Sequence, residues 1–124
     1  ITFINGEQGI LRHRGYPIEQ LAENSNFLES AYLIMYGELP NEVSLRAFER
    51  NILSNGTLDT NMQPLFEGFP LSAHPMAILS ALVSSLSTYH PEYATNNRKV
   101  DLGHFDAASA ILMSKVRSIA AMTY

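Results

Sequence analysis

The 124-residue sequence contains no cysteine and no tryptophan. Without thiols there can be no disulfide framework, no thiolate nucleophile and no cysteine-type zinc site. Charge is also scarce: eight Lys and Arg stand against twelve Asp and Glu, 16% of the chain and a formal net charge of -4. Such a balance gives no electrostatic reason to expect nucleic acid or an anionic membrane surface as a partner. A hydrophobic fraction of 46% nonetheless sets the chain apart from highly charged disordered segments. No basic stretch leads into a short apolar run, so no signal peptide is visible. From Gly68 to Pro91 there is no Asp, Glu, Lys or Arg. Ser, His and Pro interrupt that stretch, so it is a poor membrane-spanning candidate and reads as a segment buried against other protein.

What is present is mostly helical pattern. Ile1–Ile4 and Ile10–Arg14 read as two short strands around the Gly-containing turn Asn5–Gly9, a small N-terminal hairpin. Pro17 suits a first helical position, with Ile18, Leu21 and Ala22 on one face of a helix of one or two turns. Asn26 followed by Glu29 matches a capping box, and Leu28, Ala31, Tyr32 and Met35 then recur at helical spacing until Gly37 and Pro40. A further helix begins near Asn41, with Leu45, Phe48 and Ile52 on one side and Glu42 paired with Arg46, and stops at Asn55-Gly56. Asp59 could cap a short helix that has Pro64 in its first turn. His74-Pro75 opens an uncharged helix through Met76, Leu79, Val83 and Leu86 toward Tyr89. A polar loop containing Asn96-Asn97-Arg98-Lys99 follows. The last helix starts near Phe105 and carries Ala110, Ile111, Val116 and Ile119, its apolar surface broken by Lys115 and Arg117. The chain begins inside a strand-like pattern, and Ile119 to Tyr124 form an unfinished helical one, so both ends read as cuts in a longer polypeptide.

No catalytic set emerges from these residues. His13, His74, His90 and His104 have no partner at metal-ligand spacing, and no metal site is assigned. His74 reads as a helix-entry residue bonding nearby backbone, while His13 and His90 read as loop or surface positions. Asn5–Gly9 lacks the spaced carboxylates of a calcium loop. Arg12, His13 and Arg14 could meet an anion, but an ion-paired or solvated strand edge is the simpler account. Neither a phosphate loop, a nucleophile elbow nor a catalytic carboxylate pair can be found.

Three longer runs are more specific. Gly9-Ile10-Leu11-Arg12-His13-Arg14-Gly15-Tyr16-Pro17-Ile18-Glu19-Gln20-Leu21-Ala22 closely resembles the opening of the large domain in the citrate synthase family. The run from Phe27 through Tyr32 and Met35 to Pro40 is similar to the family's next landmark, and His74-Pro75-Met76 to a third. The ending from Ser118 to Tyr124 is also similar, so the resemblance covers essentially the whole chain.

This resemblance implies an all-α fold, part of a large helical domain with a short N-terminal β-hairpin. Residues 1–124 would then be a segment of that domain, its C-terminal remainder and the small domain being absent. The implied reaction joins acetyl-CoA, a substrate and not a cofactor, to oxaloacetate, giving citrate and CoA. The family's histidine pair and aspartate lie beyond the region matching Tyr124, so no catalytic or substrate-binding residue is assigned here. Cytoplasmic bacterial enzymes that are homodimers or larger assemblies are the implied setting, with no nucleic-acid or membrane partner. Their seam of packed antiparallel helices would place Ala77, Ser80, Ala81, Ser84 and Ser85 at or near a two-fold interface. NADH inhibition, known for some bacterial members, is not expected, because the basic run it uses is replaced by Ser54-Asn55-Gly56 and a further basic position by Ile111, although Lys115 remains. Within the family 2-methylcitrate synthase is the rival, with Ala77–Leu82 resembling the citrate branch more closely. Outside it, a non-enzymatic helical dimerisation module is the alternative.

Overall fold

The computed structural model describes residues 1–93 and 95–123, so the final residue of the C-terminal run, Tyr124, lies outside the described part. The chain divides into two compact units, Ile1–Arg50 and Asn51–Tyr124. The helix α3 (Glu42–Ser54) runs across the division.

The first unit begins with a three-stranded antiparallel sheet, β1 (Thr2–Asn5), β2 (Ile10–His13) and β3 (Tyr16–Pro17), in that order. Thr2 pairs with His13 and Asn5 with Ile10. The Asn5 side chain closes the turn, its Oδ1 accepting from the Gln8 backbone N–H at 3.2 Å and its Nδ2 donating to Gln8 Oε1 at 3.1 Å. The third strand corrects the two-strand expectation. Arg14 and Gly15 both have positive φ, 50° and 92°, as a two-residue type I′ turn requires. Pro17 thereby becomes the end of a strand and the N-cap of the next helix, not its first residue. It sits on the edge strand, where its missing N–H leaves no ladder bond unmade. Left-handed backbone is unfavourable for Arg. Two hydrogen bonds offset that cost, from Arg14 Nε (3.1 Å) and Nη2 (2.8 Å) to the Ile34 carbonyl. That carbonyl lies in the last turn of a helix, where a cation is also favoured by the helix dipole.

After α1 (Ile18–Asn24), which buries Leu21, comes α2 (Phe27–Tyr36). The capping box is complete: Asn26 Oδ1 accepts from the Glu29 N–H at 3.0 Å, and Glu29 Oε2 from the Asn26 N–H at 2.8 Å. Gly37, at φ 96°, supplies the left-handed C-cap. The side chain of α2 that is fully buried is Leu33, not one of the periodic row Leu28, Ala31, Tyr32 and Met35, which is half-buried. Ala31–Met35 is apolar all round, so spacing alone could not choose the core position. Tyr32 and Tyr36 meet the buried Phe48 of α3 edge-on, with ring centroids 5.5 and 6.1 Å away. Glu42 and Arg46 form the expected ion pair on the exposed side of α3.

The second unit continues with a 3-10 turn at Thr60–Met62, whose start Asp59 caps through the Asn61 N–H, then α4 (Gln63–Glu67) with Pro64 in its first turn. Next come α5 (Pro75–Tyr89), a 3-10 turn at Pro91–Tyr93, α6 (Arg98–Gly103) and α7 (Phe105–Met122). Helix α6 replaces part of the expected polar loop. Asn97 caps it by accepting from the Lys99 N–H at 3.1 Å. Helices α5 and α7 pack together around Met62, Leu82, Leu86 and Ile119, each 4% exposed or less. Burying side chains of this size is worth about 1.5–3 kcal/mol apiece.

Replacing Asn26 by Ala should lower the stability of the full-length protein by about 1 kcal/mol, with unchanged helix content. Denaturant unfolding followed by circular dichroism measures this; no loss of stability would mean that the capping box contributes nothing here.

Candidate functional site

Among the described residues the histidines are dispersed and engaged in local structure. His13 Nδ1 shares a hydrogen bond with the Thr2 hydroxyl at 3.0 Å. His74 is the N-cap of α5, its Nδ1 accepting from the Met76 N–H at 3.2 Å, as its place before Pro75 suggests. His90 lies 3.5 Å from Glu92. The ring of His104 packs edge-on against Tyr93, and its buried Nδ1 has no hydrogen-bond partner among the described residues. No three His, Asp or Glu side chains there are grouped so as to hold a metal ion, and no described helix is long and apolar enough to cross a membrane.

The most developed polar arrangement joins α7 to the last turn of α3 and the backbone that follows it. Ser114 Oγ donates to the Ile52 carbonyl at 2.5 Å, Lys115 Nζ to the Thr57 carbonyl at 2.6 Å and Ser118 Oγ to the Gly56 carbonyl at 2.8 Å. Positions 114, 115 and 118 share one helix face. Lys115 was expected to interrupt the apolar surface; it is instead 8% exposed and anchored within it. The long methylene stem of a lysine makes this feasible, since the stem packs while the amine reaches a carbonyl. Gly56 eases the approach, because a Cβ there would stand a tight 3.3 Å from Ser114 Oγ. Chemically this is a cap for the end of α3, with no group arranged to act on a substrate.

Helix α5 divides differently. One side carries Leu82 and Leu86 into the core. On the other, Ala77, Ser80, Ala81 and Ser84 are exposed, and Ser85 is half-buried with its hydroxyl donating to the Leu82 carbonyl at 2.7 Å. Met76, 61% exposed, continues this outward row. Beside it, between α5 and α7, lies a cavity of about 320 Å³ lined by residues that include Val83, Ser84, Ser87, Tyr93, Ile111 and Leu112. The structure thus brings the five sequence-selected residues onto one side of one helix. It adds Met76 and the cavity, which helical periodicity could not reveal because a cavity depends on the neighbouring helix.

A family model described as "Citrate synthase, C-terminal domain" matches residues 1–124. The chain belongs to the citrate synthase family. It is 43% identical over all 124 residues to citrate synthase 1 of Mycobacterium tuberculosis, in strains CDC 1551 / Oshkosh and H37Rv, and spans 28% of that protein's length. Among solved structures it resembles citrate synthase from Pyrobaculum aerophilum (28% identity, TM-score 0.86) over the whole chain and 32% of that structure. The Thermotoga maritima citrate synthase is similar at 26% identity and TM-score 0.78, over the whole chain and 30% of that structure. A Thermoplasma acidophilum citrate synthase, solved with carboxymethyl coenzyme A and oxaloacetate, shares the fold over 96% of the chain and 30% of its own, at TM-score 0.83 and 23% identity.

Replacing Lys115 by Met, which keeps the stem and removes the donor, should destabilise the full-length protein by about 1–3 kcal/mol, because the Thr57 carbonyl loses its bond. Ser114→Ala should cost less, about 1 kcal/mol, since the Ile52 carbonyl still accepts from the Asn55 N–H at 3.2 Å. Equal, negligible losses in chemical denaturation would show that these bonds do not hold α7.

Proposed function

We propose that this chain is the N-terminal part of the large helical domain of a bacterial, cytoplasmic citrate synthase. The parent enzyme condenses acetyl-CoA with oxaloacetate to give citrate and free CoA. The observation that carries this reading is the end-to-end match to the family at 43% identity, accompanied by a fold shared with citrate synthases. The ligands of the Thermoplasma acidophilum enzyme are of the same chemical kind as the two proposed substrates.

The catalytic groups lie outside these residues. Enolising a thioester needs a base beside an acid, and attack on a ketone needs donors aimed at its oxygen. Here the histidines serve as a helix cap, a strand-edge partner, a neighbour of Glu92 and a ring packed on Tyr93. The segment's own contribution is structural: a packed helical body whose α5 presents Ala77, Ser80, Ala81, Ser84 and Ser85 to a second subunit. Small side chains permit close helix approach, and the lack of charge along α5 suits a dry contact better than water. NADH does not regulate the enzyme through this region. A dinucleotide's phosphates call for free cationic donors, whereas Ser54-Asn55-Gly56 offers none and the Lys115 amine is already bonded to Thr57.

The full-length protein should release CoA thiol from acetyl-CoA when oxaloacetate is supplied, with no loss of rate on adding NADH, and residues 1–124 alone should release none. Preference for propionyl-CoA would reassign the parent to 2-methylcitrate synthesis. Turnover by the isolated segment would overturn the placement of the catalytic groups, and absence of turnover by the whole protein the enzymatic reading itself.

A further inference from the structure

The dipeptide Asn-Gly occurs twice, at Asn5-Gly6 and Asn55-Gly56. It is the least hindered setting for an intramolecular reaction of the Asn side chain, because the glycine has no Cβ to block the approach of its own backbone nitrogen. In that reaction the glycine nitrogen attacks Cγ of the asparagine. The N–Cγ bond forms, the Cγ–Nδ2 bond breaks, and the amide proton of the glycine leaves with Nδ2 as ammonia. Water then opens the cyclic imide. Attack at Cγ gives aspartate with the main chain intact, whereas attack at the backbone carbonyl gives isoaspartate, with the main chain routed through the side chain. The sequence of steps consumes only water and changes no oxidation state.

The fold treats the reacting atoms of the two sites differently. At Asn5 the electrophile is polarised: Oδ1, on which negative charge develops as Cγ is attacked, accepts from the Gln8 N–H at 3.2 Å. The nucleophile is unencumbered. Among the described residues the Gly6 N–H has no acceptor, and a Cβ at Gly6 would meet no atom within 4 Å. The leaving nitrogen, Nδ2, is held by Gln8 Oε1 at 3.1 Å, a side chain of the same exposed turn. At Asn55 each atom is restrained. Its Nδ2 donates to the Asn51 carbonyl at 2.7 Å, and the Gly56 N–H donates to the Leu53 carbonyl at 3.4 Å. The Gly56 carbonyl accepts from Ser118 Oγ at 2.8 Å, and Ser114 Oγ would stand 3.3 Å from a Cβ at Gly56. Turning the Gly56 peptide toward Asn55 Cγ therefore means disturbing the bonds that anchor α7.

We infer that Asn5-Gly6 is a site of spontaneous deamidation in the folded protein, and that the α7 anchor protects Asn55-Gly56 from the same reaction. The aspartate product keeps the bond from the Gln8 N–H, since a carboxylate is the stronger acceptor, and loses only the Nδ2 donor. The isoaspartate product lengthens the main chain at the position that pairs with Ile10, so β1 loses its register beside the turn. Neither outcome depends on the reaction proposed above for the parent enzyme.

The test is to age the full-length protein at mildly alkaline pH, folded and in denaturant, and then to map its peptides by chromatography and mass spectrometry. In the folded protein the peptide containing Asn5 is expected to show the amide-to-acid mass shift, split between aspartate and isoaspartate forms, while the peptide containing Asn55 stays an amide. In denaturant both should convert. Gly6→Ala should lose the shift at Asn5 yet keep the hairpin, because Gly6 is not in left-handed backbone and a Cβ there has room. Conversion of both sites in the folded protein, or of neither, would overturn the inference, as would unchanged conversion in Gly6→Ala. So would an Asn55 that resists even in denaturant, since its protection would then not come from the fold.

Discussion

Everything in the second unit depends on the placement of α7, and that placement is set by three donors reaching three carbonyls. Ser114, Lys115 and Ser118 meet the main chain at Ile52, in the last turn of α3, and at Thr57 and Gly56 just beyond it. Apolar packing alone would let two smooth helices slide past one another, since the hydrophobic effect is non-directional. The three bonds hold α7 in one register against residues 52–57, and α7 packs on α5 around Met62, Leu82, Leu86 and Ile119. Gly56 belongs to the same device, because a larger residue would press on the Ser114 hydroxyl.

With α7 settled against one side of α5, the other side is left to face outward, and its composition is unusual for a surface. Helices that meet only water usually carry charged residues on the outer face. Here that face holds Ala, Ser, Thr88 and one Met. In the proposed reading this face serves a contact between subunits; the curated relatives that the chain matches are more than three times as long as these residues. Small side chains bring backbones close, and the absence of charge avoids carrying ions out of water.

Much of this was legible in the sequence where a local signal had one meaning. Asn26 with Glu29, Asp59 and His74-Pro75 each mark a helix start by side-chain chemistry acting within three residues, Gly37 marks a helix end by its left-handed backbone, and each is found in that role. Illegible features depended on distant neighbours. The turn at Arg14-Gly15 needs an Arg in left-handed backbone, which becomes tolerable only because Ile34, twenty residues on, accepts its guanidinium. Lys115 read as a surface charge because nothing adjacent in sequence announces the Thr57 carbonyl. Asn97 was a recoverable miss: it is a good N-cap residue, but the polar run Asn96-Asn97-Arg98-Lys99 read as a loop. For the candidate site, the row on α5 followed from periodicity and family resemblance, whereas the cavity beside it required knowing where α7 lies.

The central claim is that α5 keeps its outer face free of charge for a second subunit, and a single Glu at Ala81 tests it most directly. Ala81 is exposed within these residues, so Ala81→Glu should leave the packing of α5 on α7 intact. At the middle of a two-fold seam it would set two carboxylates near one another out of water, at a cost of several kcal/mol. Light scattering on the full-length protein is expected to show a dimer for the wild type and a folded monomer for the variant. A variant that folds and stays as tightly dimeric as the wild type would contradict the claim.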